Sequence, residues 1–291
     1  MSIISLCLVT FFLPETPSWL VSKDRIADAE RSLELFRGKN HPKEFKEEMD
    51  KLIKRVAEIK NNKSNSILEV IKLPEFYKPI IIMITFFMFQ QATGTFVLVT
   101  YAVKFSIDIG VSFDPYLYTI FIGLDRILGS ISVGFFIERF GRRYCTIYSG
   151  LVMSICAFGT NASIIYSDVI SYLVPLCLVI VYVLASSIGF LTIPLTLVSE
   201  LFPLRFRGFA SSITISSMYL MAFTMSKLYP FVVDAIGMDN VIIFFGTMAL
   251  LSMPFVYLCV PETSGKSLDE IEDIFKKKKV HNVDDNNIRL L

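Results

Sequence analysis

The chain has 291 residues, 53% of them hydrophobic and 19% charged, with a net charge of +1. The charges are confined to segments between long apolar runs, which excludes an ordinary water-soluble globular domain and gives no footing for nucleic-acid binding. Two histidines in polar segments (His41, His281) and five cysteines without metal-like spacing supply no metal site, no cofactor and no nucleophile–base pair, so an enzyme reading does not survive.

Met1–Leu13 is apolar but only about 20 Å long as a helix. It lacks a basic leading segment and a small-residue cleavage site, so it reads as the end of a membrane helix whose beginning is missing. Residues 14–78 read as a helical linker. Ile26, Ala29, Leu33 and Phe36 keep helical spacing before Gly38, Pro42 opens a second helix through Ile59, and Ser66–Glu69 is a capping box. Six apolar runs follow: Pro79–Val103, Leu117–Ile137, Tyr144–Tyr166, Ser171–Val198, Phe209–Val233 and Val241–Val260. Each holds roughly 20 residues or more, enough to cross ~30 Å of hydrocarbon. Residues 261–291 form a tail that begins with a capping box at Ser267–Glu270 and carries Lys276–Lys279.

Orientation follows from Lys and Arg. Of the 28 basic residues, 14 lie between Val21 and Lys78. Arg139, Arg142, Arg143, Arg205, Arg207 and the tail cluster fall in every second connection, while 106–116, 167–170 and 234–240 carry none. The linker and the tail are therefore expected to be cytoplasmic. Pro14-Glu15-Thr16 and Pro261-Glu262-Thr263 both follow an apolar helix on that side, which suggests two parallel halves of six helices, one of them largely absent.

Within the first full span, Gln90 and Gln91 lie side by side, followed by Thr93, Gly94, Thr95 and Thr100. An amide in hydrocarbon costs several kcal/mol unless it is paired. Either these glutamines join helices or they line a wet cavity, and the residues alone leave both readings open. Ser186, Ser187, Gly189, Thr192 and Pro194 mark a broken helix of the kind that borders a carrier's cavity. Arg126, beside Asp125, is a charge at membrane depth, either facing the cavity or internally paired. Asn161-Ala-Ser163 is a glycosylation sequon, expected to lie too close to the membrane for use.

Five motifs resemble the sugar porter family of the major facilitator superfamily, and within it the insect facilitated trehalose transporter-like proteins. They are PETPSWLVS (14–22), QQATG (90–94), ERFGRR (138–143), SELFPLRFRG (199–208) and PETSGKSL (261–268). The resemblance implies an all-α polytopic membrane protein. The chain would be that fold's C-terminal six-helix half, with a cytoplasmic helical linker and a partial preceding helix. It implies sugar transport at the plasma membrane by alternating access, with the missing N-terminal half as partner. It also implies sugar contacts from Gln90, Gln91, Thr95, Thr100, Tyr101 and Arg126. A gating network is implied for Glu15, Glu138, Arg139, Arg142, Arg143, Glu200, Arg207 and Glu262. Three positions depart from the family: Phe96 stands where Asn is usual, Leu195 where Trp is usual, and Arg126 where many members carry a neutral amide. These departures keep a second expectation alive, a sugar-sensing pseudo-carrier without flux. A seven-helix receptor is disfavoured by the charged linker after the first helix and by the paired Pro-Glu-Thr motifs.

Overall fold

A computed structural model describes residues 14–37, 49, 50, 52–54, 56, 73–108, 114–166, 170, 171, 173–203, 207–266 and 268–275. Met1–Leu13, Ser66–Glu69, most of the expected second linker helix, Ser267 and Lys276–Lys279 lie outside these residues. Every regular element among the described residues is a helix. The chain divides into two compact units, Met1–Val70 and Ile71–Leu291.

In the first unit, α1 (Pro17–Ser22) and α2 (Ile26–Arg37) form a helical hairpin. Pro17 starts α1 without loss, because its missing N–H falls where no helical partner exists. Leu20, Val21, Ala29, Leu33 and Met49 close a small core, and the spacing of Ala29 and Leu33 puts both on one face of α2. The Ser32 hydroxyl donates to the Glu15 carbonyl at 2.5 Å and ties the Pro-Glu-Thr turn to α2.

The second unit holds the long helices. The first apolar run is divided into α3 (Pro74–Ala92), α4 (Thr95–Thr100) and α5 (Ala102–Asp108). Then come α6 (Pro115–Phe140), α7 (Arg142–Ile165) and α8 (Leu173–Ser186). A π-helical turn over Ser187–Leu191 separates α8 from α9 (Ile193–Leu201), and α10 (Arg207–Ile236), α11 (Met238–Cys259) and α12 (Leu268–Phe275) complete the unit. Among the described residues, four stretches are long and apolar enough to cross a membrane by length and composition: Tyr116–Phe140, Arg142–Ile165, Leu173–Leu201 and Met238–Cys259. The run at 79–103 is not a single helix, because it breaks at Thr93-Gly94 and again at Tyr101. Helix α10 has 30 residues, about 45 Å, but its many hydroxyl side chains (Ser211, Ser212, Thr214, Ser217, Thr224) lower its hydropathy. Those hydroxyls are spent within the helix, as Ser212, Thr214, Ser217 and Thr224 donate to carbonyls three or four residues back.

Packing follows small residues. Helix α7 lies against α8 and α11, and its buried face is Cys145, Ser149, Gly150, Met153, Cys156, Ala157 and Thr160. Residues this small let helix backbones approach closely, which is how helices associate where lipid offers no hydrophobic drive. Asn161 lies on this buried face at 9% exposure, which withholds the sequon from solvent.

Candidate functional site

Two constellations of polar side chains stand out in the second unit. The first surrounds the breaks in the first and fourth apolar runs. Gly94 has φ of +75°, a left-handed conformation that stops α3 and starts α4 on a new axis. A Cβ there would also lie 2.4 Å from the Phe245 ring. The break frees backbone groups, and side chains take them up. The Thr93 hydroxyl donates to the Gln90 carbonyl at 2.8 Å, and the Tyr182 hydroxyl donates to the Thr93 carbonyl.

The π-turn after α8 is held in the same way. A π-turn carries one residue more than an α-turn and loosens the regular carbonyl ladder. Gln90 Nε2 donates to the Phe190 carbonyl at 2.6 Å, Ser149 Oγ to the Ala185 carbonyl at 2.6 Å, and Thr192 Oγ1 to the Ser187 carbonyl at 3.0 Å. The turn closes on α7 because residue 189 is glycine, as a Cβ there would sit 2.3 Å from Ser149 Cβ.

Gln90 and Gln91 are 6% and 5% exposed. Each keeps a buried Oε1 with no hydrogen-bond partner among the described residues. The sequence left two readings of these amides open. The Gln90 nitrogen joins helices, and the two oxygens are unspent acceptors. Thr95 is 5% exposed with its hydroxyl 3.4 Å from that of Thr93. Thr100 is exposed and donates to the Phe96 carbonyl. Tyr101 lies farther along, its hydroxyl donating to the Ser226 carbonyl at 3.1 Å and its ring 5.2 Å from that of Tyr229. Phe96 and Leu195 are each 45% exposed on the surface of the unit.

Helix α6 carries a residue that the sequence reading passed over. Its buried stripe is Tyr118, Ile122, Asp125, Gly129 and Val133, at steps of four and three. Asp125 is 6% exposed and its Oδ2 has no partner among the described residues, whereas Arg126 is only half-buried. The helical step itself was the available signal, since position 125 shares a face with 118, 122 and 129.

The second constellation gathers at the other end of the helices. Arg142 and Glu200 form an ion pair at 2.5 Å, with side chains 18% and 19% exposed. The other Glu200 oxygen accepts from the Thr263 hydroxyl at 2.9 Å. Glu262 accepts from the backbone N–H groups of Arg142 (3.1 Å) and Arg143 (3.0 Å), and also from those of Thr263 and Ser264. Its carboxylate thereby caps the N-terminus of α7, where unpaired N–H groups and the helix dipole favour an anion. Arg143 donates to the Tyr257 carbonyl and stacks on the Tyr257 ring, 4.6 Å from its centroid. Arg207 donates to the Phe202 carbonyl at 3.2 Å, and burial lowers its pKa from the usual guanidinium value while the Glu200 charge opposes that. Glu138 and Arg139 are exposed and stay out of this cluster. Glu15 belongs to the first unit. No group of His, Cys, Asp and Glu among the described residues is arranged to hold a metal ion.

A sequence profile for sugar (and other) transporters matches residues 1–275. The chain belongs to that family. A facilitated trehalose transporter of Apis mellifera ligustica is 33% identical over 273 residues, covering 92% of this chain and 54% of the relative. One from Bombyx mori is 32% identical, with 91% and 54% covered. The chain thus spans about half the length of these relatives. Among solved structures, the proton:xylose symporter XylE bound to 6-bromo-6-deoxy-D-glucose superposes with a TM-score of 0.76 at 23% identity, over 92% of this chain and 56% of that one. The inward open xylose transporter XylE from E. coli gives 0.61 at 23% identity, over 93% and 54%. The fold is that of the major facilitator superfamily.

Proposed function

We propose that these residues form one half of a sugar carrier of the trehalose or hexose type that works by alternating access. The observation that carries this is the pair of buried amide oxygens on Gln90 and Gln91 without donors, set between two broken helices. Sugars are neutral and rich in hydroxyls, and hydroxyl donors are what these acceptors lack. By the same reading Thr95, Thr100, Tyr101 and Arg126 are further sugar contacts. A site between two halves needs a facing wall, which on this reading comes from the half of the relatives' length that this chain does not cover. The positive-inside pattern puts the linker and the Arg142 end of the helices in the cytoplasm, with the plasma membrane as the site of action. The Arg142–Glu200 pair, with the Glu262 cap and Arg207, then serves as the latch that holds the cytoplasmic side shut.

The experiment is uptake of labelled trehalose and glucose by oocytes expressing residues 14–291 joined to the first-half helices of the honeybee relative. Saturable uptake that falls at least tenfold in Gln91→Leu supports the proposal. Binding of sugar without flux would favour a sensing pseudo-carrier, the reading that the apolar side chains at Phe96 and Leu195 support. Neither binding nor uptake of any sugar would overturn both.

A further inference from the structure

Where α6, α7 and the end of α8 meet, a cavity of about 380 Å³ opens at the Arg142 end of the helices. Phe136, Phe140, Tyr148, Val152, Ala185 and Ile188 line it. Two other side chains on its wall bring hydrogen-bond donors, and both are already spent. Cys145 Sγ donates to the Phe136 carbonyl at 3.2 Å, and Ser149 Oγ to the Ala185 carbonyl at 2.6 Å. The remaining hydroxyl belongs to Tyr148, whose ring is 59% exposed, as an interfacial aromatic residue would be. The groove therefore offers apolar surface to its occupant and almost nothing to a sugar.

Its rim is charged on one side. Arg142 is engaged by Glu200 and Arg143 by Tyr257. Arg139 is exposed, pairs with no acid among the described residues, and holds its guanidinium 6.0 Å from the Phe140 ring that lines the groove. Glu138 beside it is exposed and does not pair with it. An apolar slot with a free guanidinium at its mouth, at the level where a helix leaves hydrocarbon, matches one chemistry: an acyl chain below a negatively charged headgroup.

We propose that this groove binds one anionic phospholipid of the leaflet at the Arg139 end, with an acyl chain against Phe136, Val152 and Ile188 and the phosphate at Arg139. The site touches none of the sugar-facing residues, so it stands whether or not the chain carries sugar.

The test uses the full 291-residue chain in neutral maltoside micelles, titrated with phosphatidylserine or phosphatidylcholine and read by native mass spectrometry and thermal melting. Wild type retains one phosphatidylserine in preference to phosphatidylcholine. Arg139→Gln weakens phosphatidylserine about fivefold, the value of one basic residue at a lipid surface, and leaves phosphatidylcholine unchanged. Val152→Trp fills the slot and removes both lipids. Lys266→Gln, which deletes an exposed charge elsewhere on the unit, changes neither. Equal retention of the two lipids by wild type, or the same loss from Lys266→Gln as from Arg139→Gln, would overturn the proposal. Because Arg139→Gln alters an exposed side chain, its result stands even if Val152→Trp fails to fold.

Discussion

Neighbouring glutamines with similar burial make a controlled pair. Gln90→Leu removes the donor to the Phe190 carbonyl and leaves that carbonyl buried in the π-turn without a partner. A neutral buried group stranded in this way costs about 1–3 kcal/mol. At about 2–4 °C per kcal/mol for a unit of this size, that is a fall in melting temperature of about 2–12 °C. Gln91→Leu removes an amide whose side chain makes no hydrogen bond among the described residues and whose Oε1 is buried and unpaired. Its cost is near zero, and the variant can gain up to about 1 kcal/mol. Melting of the purified chain in maltoside, followed by a dye that reacts with newly exposed thiols such as Cys145 and Cys156, separates the two. In the sugar assay both variants lose affinity, since each deletes an acceptor. If Gln91→Leu melts as early as Gln90→Leu, or Gln90→Leu melts with wild type, the assignment of Gln90 to the π-turn is wrong.

Glu262→Gln keeps size but removes the charge that caps α7, at an expected cost of about 1–2 kcal/mol. The melting difference from wild type should shrink in high salt, and an unchanged melting curve in dilute buffer would reject the capping role. Glu200→Gln breaks the pair with Arg142 and shifts the chimeric carrier toward its inward-open state by several-fold. A cysteine probe in the outer cavity should become less reactive, and equal reactivity would count against the latch. Gly94→Ala places a methyl against Phe245 in a left-handed conformation, for a loss of about 2 kcal/mol or more. Adding Phe245→Leu should restore the part due to the clash, and full recovery would mean that the backbone conformation carries no strain. Phe96→Asn in the carrier should raise sugar affinity and alter selectivity, and unchanged kinetics would take position 96 out of the sugar's reach.

What the sequence revealed depended on how locally each feature is encoded. Apolar length and the alternation of basic connections are properties of contiguous segments, so the apolar runs and their order could be read directly, but not the division of the first run into three helices. The break after Gln91 was not legible, because Thr93 and Gly94 sit inside an uninterrupted apolar run and only the fold shows Gly94 in a left-handed conformation. The dual role of Gln90 could not be read, since its partner at Phe190 is 100 residues away. The same holds for Glu262, which caps a helix that begins 120 residues earlier. On α6 an acid and a base stand side by side, and adjacency alone does not say which of them faces inward. The turn of the helix puts Asp125 inside and leaves Arg126 at the edge.

The bond from Gln90 to the π-turn has one more consequence. Tightening a π-turn into an α-turn displaces everything beyond it by one residue, about 100° of rotation and 1.5 Å of travel. The Gln90 nitrogen helps to keep that extra residue in place. In the proposed sugar site, a ligand hydroxyl that turns the Gln90 amide toward itself draws its N–H off the Phe190 carbonyl. Sugar occupancy and the register of α9 would then compete for one orientation of the amide. Helix α9 ends at Glu200 and Leu201, within reach of Arg142. A rotation started at the amide would arrive at the ion pair as a change of aim, so a neutral molecule could loosen a charged contact it never meets.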